Sequence, residues 1–150
     1  MSSQFSYKQT RDYNCAAGAV VEFIHTQSGL ELDVETVTRK LGCDPETGTT
    51  HSSIVGYLDF LYRYDGVKLE YGHDIRVSEF TLPMIVNYWT VDDGHYGVIQ
   101  AIHVGPGSGF VIISDPSTGE EDVKDWDEFV ENWYSKRYGP TWGLYIARKA

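Results

Sequence analysis

Gln9 stands six residues before Cys15, and Cys15 opens a run of small and apolar residues with the spacing of a helix. That layout suits covalent acyl chemistry. A helix N-terminus carries partial positive charge and unpaired N–H groups, which favour the thiolate, the nucleophilic form of cysteine. An amide side chain one short loop upstream can donate to an oxyanion beside the sulfur. Such a nucleophile needs a base and a group that orients the base. His95, just after a Gly turn at the start of an apolar run, is the base candidate. Asp115, at the end of the next apolar run and before Pro116, is the orienting candidate.

Taken singly, each of these residues has a plain structural reading. A Cys at a helix start is a small hydrophobe. A Gln is surface. A strand His is a hydrogen-bonded, half-buried residue, and an Asp before Pro is a turn former. Their order along the chain favours the chemical reading: Gln9, Cys15 on a helix start, then His95 and Asp115 on adjacent strands. A hairpin register in which paired residue numbers total 210 sets His95 opposite Asp115. Cross-strand neighbours lie within side-chain reach, so the carboxylate would hold the imidazole by its ring N–H. His103 falls beside the loop in that register and is the poorer base. Cys43 and His51 match no familiar zinc spacing, no paired Cys-x-x-Cys exists, and neither a metal nor another cofactor is expected.

Helices come first and strands second, which predicts an α+β fold with two lobes and a cleft between them. Residues 15–27 read as a helix through Ala19, Val20, Phe23 and Ile24, ended by Ser28-Gly29. Val34, Val37 and Leu41 predict a shorter helix from about Asp33 to Gly42. Thr49-Thr50 caps a third, with Ile54, Val55, Leu58 and Leu61 on one face. Strands are expected at 68–71, 84–89, 96–104, 110–114 and 144–147. Asp92-Asp93-Gly94 is read as a turn, and residues 105–109 as a loop. A short helix is expected at 125–134, with Trp126, Phe129, Val130 and Trp133 inward.

Bulk properties narrow the function classes. At 150 residues, 41% hydrophobic and 23% charged, the chain reads as one globular domain over 1–150. Its net charge of −10 argues against nucleic acid, which needs a basic footprint, and against an anionic membrane surface. Two Cys make no disulfide framework, and residues 1–14 lack the apolar segment of a secretory signal, so a cytoplasmic location is expected. Residues 94–114 are free of Asp, Glu, Lys and Arg, yet hold five Gly and one Pro. They read as a β-hairpin and not as a membrane-inserted helix. The 11 Tyr and 4 Trp point to a groove with aromatic walls, for which Trp89 and Trp142 are candidates.

Three blocks of the chain resemble the bacteriocin-processing cysteine peptidases that act on double-glycine leaders, a papain-like family. The first is Gln9 through Cys15 with Ala16, Ala17, Gly18 and Ala19. The second is Leu82-Pro83-Met84-Ile85-Val86 with Gly94-His95-Tyr96-Gly97-Val98-Ile99. The third is Ser114-Asp115-Pro116-Ser117-Thr118-Gly119 with Trp126, Glu128-Phe129 and Trp133. A weaker block, Leu41-Gly42 with Gly48-Thr49, lies between.

The resemblance implies a papain-like fold, with a helical N-terminal lobe against a C-terminal antiparallel sheet. It implies that Cys15 is the nucleophile, His95 the general base and acid, and Asp115 the orienting residue. Gln9 would complete an oxyanion hole with the Cys15 N–H. The implied substrate is a peptide or protein cleaved after Gly-Gly. Many such peptidases are fused to a membrane transporter, so a transporter or secretion partner of this chain would be a separate polypeptide. The family carries an acidic residue before the Cys and Gly after it, where this chain has Asn14 and Ala16. Two other readings stay open at this level: a catalytically silent domain that binds leader peptides or a partner, and an acyltransferase or deamidase.

Overall fold

The computed structural model describes residues 8, 10–11, 13–46, 48–62, 68–72, 81–89, 94–133 and 144–149. Four helices and six strands run in the order α1 (Cys15–Ser28), α2 (Val34–Leu41), α3 (His51–Tyr62), β1 (Lys68–Gly72), β2 (Met84–Trp89), β3 (Gly94–Gly105), β4 (Ser108–Asp115), β5 (Glu120–Asp125), α4 (Trp126–Trp133) and β6 (Tyr145–Lys149) among the described residues.

Helix α1 is the centre of the packing. Every residue from Ala16 to Ile24 is buried, which is why the segment shows no polar face. Ala16, Ala17, Gly18 and Ala19 keep its first turns thin. Val20, Val21, Phe23 and Ile24 supply the apolar bulk, each worth roughly 1.5–3 kcal/mol relative to exposure. Gly29 ends the helix in the left-handed region at φ 73°, with its N–H bonded to the His25 carbonyl. Helix α2 begins at Asp33, whose carboxylate accepts from the Thr36 N–H, and stops at Gly42 with φ 68°. At the start of α3, Thr50 Oγ1 accepts from the Ser53 N–H at 3.2 Å.

The strands form one antiparallel sheet in the order β1-β6-β2-β3-β4-β5. Alternation divides its apolar residues between two faces. Ile85, Tyr96, Val98 and Ile146 join the core built by α1, α2 and α3. Met84, Val86, Tyr88, Ile99, Val111, Ile113, Tyr145 and Ala147 meet Phe129 and Trp133 of α4. This is the α+β architecture expected, a helical N-terminal part against a C-terminal antiparallel sheet.

Two expectations fail in instructive ways. Strands β3 and β4 pair Gly105 with Ser108, so the turn is Pro106-Gly107 and not a five-residue loop. Gly107 has φ 74°, as a Pro-Gly type II turn requires. A register irregularity between Ile99 and Ala101 then shifts the ladder, and Val98 faces Ser114. His95 and Asp115 are therefore not a cross-strand pair, and the expected register is wrong by two to three residues. Strand β5 was not expected. Its sequence, Glu-Glu-Asp-Val-Lys-Asp, carries the charges of a strand at a sheet edge in place of alternating apolar residues.

Candidate active site

Cys15 is the first residue of α1 and is half-buried with a free thiol. The helix ladder begins with the Ala17 and Gly18 N–H groups bonding the Asn14 carbonyl at 3.1 and 3.3 Å. The N–H groups of Cys15 and Ala16 therefore stand outside that ladder, beside the sulfur.

Asn14 fixes this position. It is fully buried, and its side chain does not cap α1. Its Nδ2 donates to Thr10 Oγ1 and to Thr38 Oγ1 of α2, both at 2.9 Å. Its Oδ1 accepts from the Arg11 N–H at 2.9 Å. An acidic side chain here would lack the Nδ2 protons that hold both threonines. Asn14 thus has a structural use at this position.

His95 is the second residue of β3, and Asp115 is the last of β4. Although the register does not pair them, His95 Nε2 lies 2.7 Å from Asp115 Oδ1, with both side chains 13% exposed. The same carboxylate oxygen accepts from the Ser117 N–H at 2.9 Å and from Ser117 Oγ at 2.7 Å. The Asp115 carbonyl also closes a turn by accepting from the N–H groups of Thr118 and Gly119. Asp115 is thus both the turn former and the partner of the imidazole. Lys8 lies against this turn, where a Cβ on Gly119 would meet it at 2.9 Å.

The electrostatics follow from those contacts. Burial alone would lower the His95 pKa. The hydrogen bond to the Asp115 carboxylate, together with the influence of the nearby Cys15 side chain, outweighs it and raises the value to about 9. Burial would raise the Asp115 carboxyl, but the bonds from His95 and Ser117 hold it well below the usual carboxylate range. Asp115 is therefore ionised and accepts from Nε2–H. That assigns the ring tautomer and leaves Nδ1 as the nitrogen available to Cys15.

A polar contact ties α1 to the strands behind these groups. Glu22, two turns along α1 from Cys15 and 2% exposed, accepts through Oε1 from Ser114 Oγ and from Gln100 Nε2, each at 3.3 Å. Gln100 Nε2 also reaches Ser114 Oγ and Thr26 Oγ1, each at 3.2 Å. Gln100 is the residue at the register irregularity, and Ser114 adjoins Asp115.

Other sequence candidates fall elsewhere. His103 is exposed and stacks on Phe110 with ring centroids 4.7 Å apart. Cys43 accepts from Thr49 Oγ1 at 2.9 Å, and burial raises its thiol pKa. His51 packs edge-on against Tyr96. Among the described residues, no three His, Cys, Asp or Glu side chains are grouped to hold a metal. No described helix is long and apolar enough to cross a membrane. Gln9, Trp142 and the Trp89 side chain lie outside the described residues.

In fold, the chain matches the peptidase domain of Streptococcus ComA, a bi-functional ABC transporter involved in a quorum-sensing pathway. The TM-score is 0.71 at 17% identity, over 95% of this chain and 96% of that one. The fold is a papain-like peptidase fold. No family model and no curated protein matches the chain by sequence. At that identity, the likeness to the ComA domain speaks for architecture, and chemistry has to be argued from the residues of this chain.

Sequence reasoning missed Asn14, Glu22, Ser117 and Tyr88 as supports of the site. Only Ser117 had a local signal, the Asp-x-Ser spacing that closes side chain-to-backbone turns. Asn14 and Glu22 depend on Thr38, Gln100 and Ser114, far away in the chain, and Tyr88 depends on the pairing of β2 with β3.

Proposed function

We propose that this chain is a cysteine peptidase that hydrolyses a peptide bond with Cys15 as nucleophile, His95 as general base and acid, and Asp115 as orienting residue. The observation carrying the reading is the buried imidazole that engages Asp115 through Nε2 at 2.7 Å and whose charged form the Cys15 side chain also favours. Structural ion pairs also perturb pKa values. Here the perturbed group lies next to a thiol at a helix N-terminus, which a purely structural pair does not need.

In the proposed reaction, the proton of Cys15 Sγ already resides on His95 Nδ1, because the imidazole stays protonated up to about pH 9. The sulfur attacks the scissile carbonyl carbon, and the carbonyl electrons move to its oxygen. The Cys15 N–H and the Gln9 side-chain amide hold that oxyanion. The imidazolium then protonates the leaving amine as the C–N bond breaks, leaving a thioester on Cys15. Water, deprotonated by His95, attacks the thioester. The acid product leaves and the thiolate–imidazolium pair is restored.

The substrate we favour is a peptide or protein with a Gly-Gly junction, cleaved after the second Gly. That choice rests on the family resemblance of the three sequence blocks, and it is compatible with the fold shared with the ComA peptidase domain. In this reading the chain works in the cytoplasm without a cofactor, and its product passes to a transporter or secretion partner. The test is a panel of peptides with and without Gly-Gly, incubated with wild-type protein and with Cys15→Ala, with products read by mass spectrometry. A new C-terminus after Gly-Gly with wild type alone supports the proposal. Cleavage that survives Cys15→Ala removes it.

A further inference from the structure

Tyr88 has no part in the chemistry just described, yet it makes the aromatic contact with His95. It pairs with His95 across β2 and β3, and the rings meet edge to face with centroids 5.5 Å apart and planes 85° apart. Tyr88 also touches Phe129 of α4 at 5.6 Å, and Phe129 packs on Trp126 and Trp133. An aromatic stack thus runs from α4 to the imidazole and backs it from the sheet side.

Room for that ring comes from Gly97, two residues after His95. A Cβ there would lie 3.2 Å from Tyr88 Cε1 and 2.9 Å from Ile113 Cγ2, closer than a packed β-branched methyl allows. A larger residue at 97 would push the tyrosine ring off its place.

The hydroxyl argues that the ring is the useful part. Tyr88 is 3% exposed, and its Oη has no hydrogen-bond partner among the described residues. A buried hydroxyl left unpaired costs stability, so Tyr88→Phe, which keeps the ring, should fold at least as well as the wild type. Burial first, then the negative charges of Asp115, Asp122 and Cys15, hold that hydroxyl far above the ordinary tyrosine range. It stays neutral at working pH and can serve as a wall, never as a base.

We infer that Tyr88 is a positioning residue, seated by Gly97, which locks the His95 ring in the plane that serves both Cys15 and Asp115 and keeps water off the Nε2–Asp115 bond. The inference rests on the peptidase reading for its effect on turnover, though not for its effect on the imidazole. Water at that bond would compete for the Nε2 proton and let the ring turn, and a small misplacement of a catalytic base costs rate.

The experiment follows the exchange of the His95 Nε2 proton with solvent by NMR at neutral pH, in the absence of substrate. A protected, slowly exchanging proton is expected in wild type. Tyr88→Leu should exchange at least about ten-fold faster, since local opening governs exchange. Its kcat should fall about ten-fold with KM unchanged, because orientation and not binding is lost. Tyr88→Phe should keep both values. A merely structural tyrosine would lower thermal stability in Tyr88→Leu and leave the imidazole proton protected, which would overturn the inference. Should Tyr88→Leu fail to fold, Gly97→Ala decides: faster exchange supports the inference, and unchanged exchange overturns it. A protein that protects this proton but cleaves no peptide contradicts the peptidase reading and leaves the role of Tyr88 standing.

Discussion

His95 Nε2 and Asp115 Oδ1 lie 2.7 Å apart although no rung of the β3–β4 ladder pairs the two residues. The ladder stops at Val98–Ser114. Beyond it, the Asp115-Pro116-Ser117 turn carries the carboxylate toward the imidazole, and Ser117 holds it there. The geometry of the site therefore depends on a turn at least as much as on the sheet.

Truncating that carboxylate separates orientation from charge. Asp115→Ala removes the acceptor for Nε2–H, and peptide turnover should fall by roughly 10²-fold or more. Asp115→Asn keeps an oxygen that accepts from Nε2–H and loses the charge that supports the imidazolium. It should retain more activity than Asp115→Ala, with its alkaline limb moved to lower pH. Measuring kcat/KM against pH for both variants checks this. Equal loss in the two would mean that orientation has no separate role.

The raised His95 pKa makes fold stability depend on pH. The group titrates at about 9 in the folded protein against about 6.5 unfolded, so its stabilisation is full below about 6.5 and is lost as pH rises toward 9. The loss should be at most roughly 3 kcal/mol, since each unit of displacement corresponds to about 1.4 kcal/mol. Asp115 works in the opposite direction: its stabilisation is present above the ordinary carboxylate range and is lost as pH falls through and below it. Urea midpoints across pH 6.5–9, compared with those of His95→Gln, should show a decline in wild type that the variant lacks.

Asn14 should behave as a buried clamp. Asn14→Ala leaves the Arg11 N–H and the Thr10 and Thr38 hydroxyls without the partner they have now, at a cost of about 2–3 kcal/mol. Asn14→Asp can still accept from the Arg11 N–H, but it sets a buried carboxylate oxygen against the Thr10 and Thr38 hydroxyls, which already donate to Glu35 and to the Val34 carbonyl. Denaturant unfolding should rank the wild type first. If Asn14→Asp matched it, the amide protons would have no importance.

Glu22 should couple stability and turnover. Glu22→Ala removes the acceptor for Ser114 and Gln100 and opens a gap between α1 and the strands, costing roughly 2–4 kcal/mol. Turnover should fall as well, because Cys15 rides on α1 while Asp115 adjoins Ser114. A Glu22→Ala protein that loses stability but keeps full kcat would show that the two elements hold their alignment without this contact.

Much of this was legible before any coordinates. Periodicity placed α1, α2 and α3 within a residue or two, because apolar residues recur at helical spacing in each and Gly29 and Gly42 stop the first two. Motif order singled out Cys15, His95 and Asp115 from the chain. The register of β3 and β4 was not legible, since the irregularity sits at Gln100, whose side chain meets Glu22, 78 residues away in sequence. Strand β5 was hidden by its charge. Asn14 stood out only as a departure from a family pattern, and its burial depends on Thr38 of another helix. Tyr88 read as one aromatic in a β-type run, and its place beside His95 comes only from the pairing of β2 with β3.

The central claim is that Cys15 attacks a peptide carbonyl with help from His95. Its most direct test is rapid acid quench of the protein with an activated ester of a peptide ending in Gly-Gly, followed by intact-mass and fragment analysis. An acyl thioester on Cys15 is expected in wild type, absent in Cys15→Ala and strongly reduced in His95→Ala. No acyl mass on the wild type, or one carried at any residue other than Cys15, would contradict it.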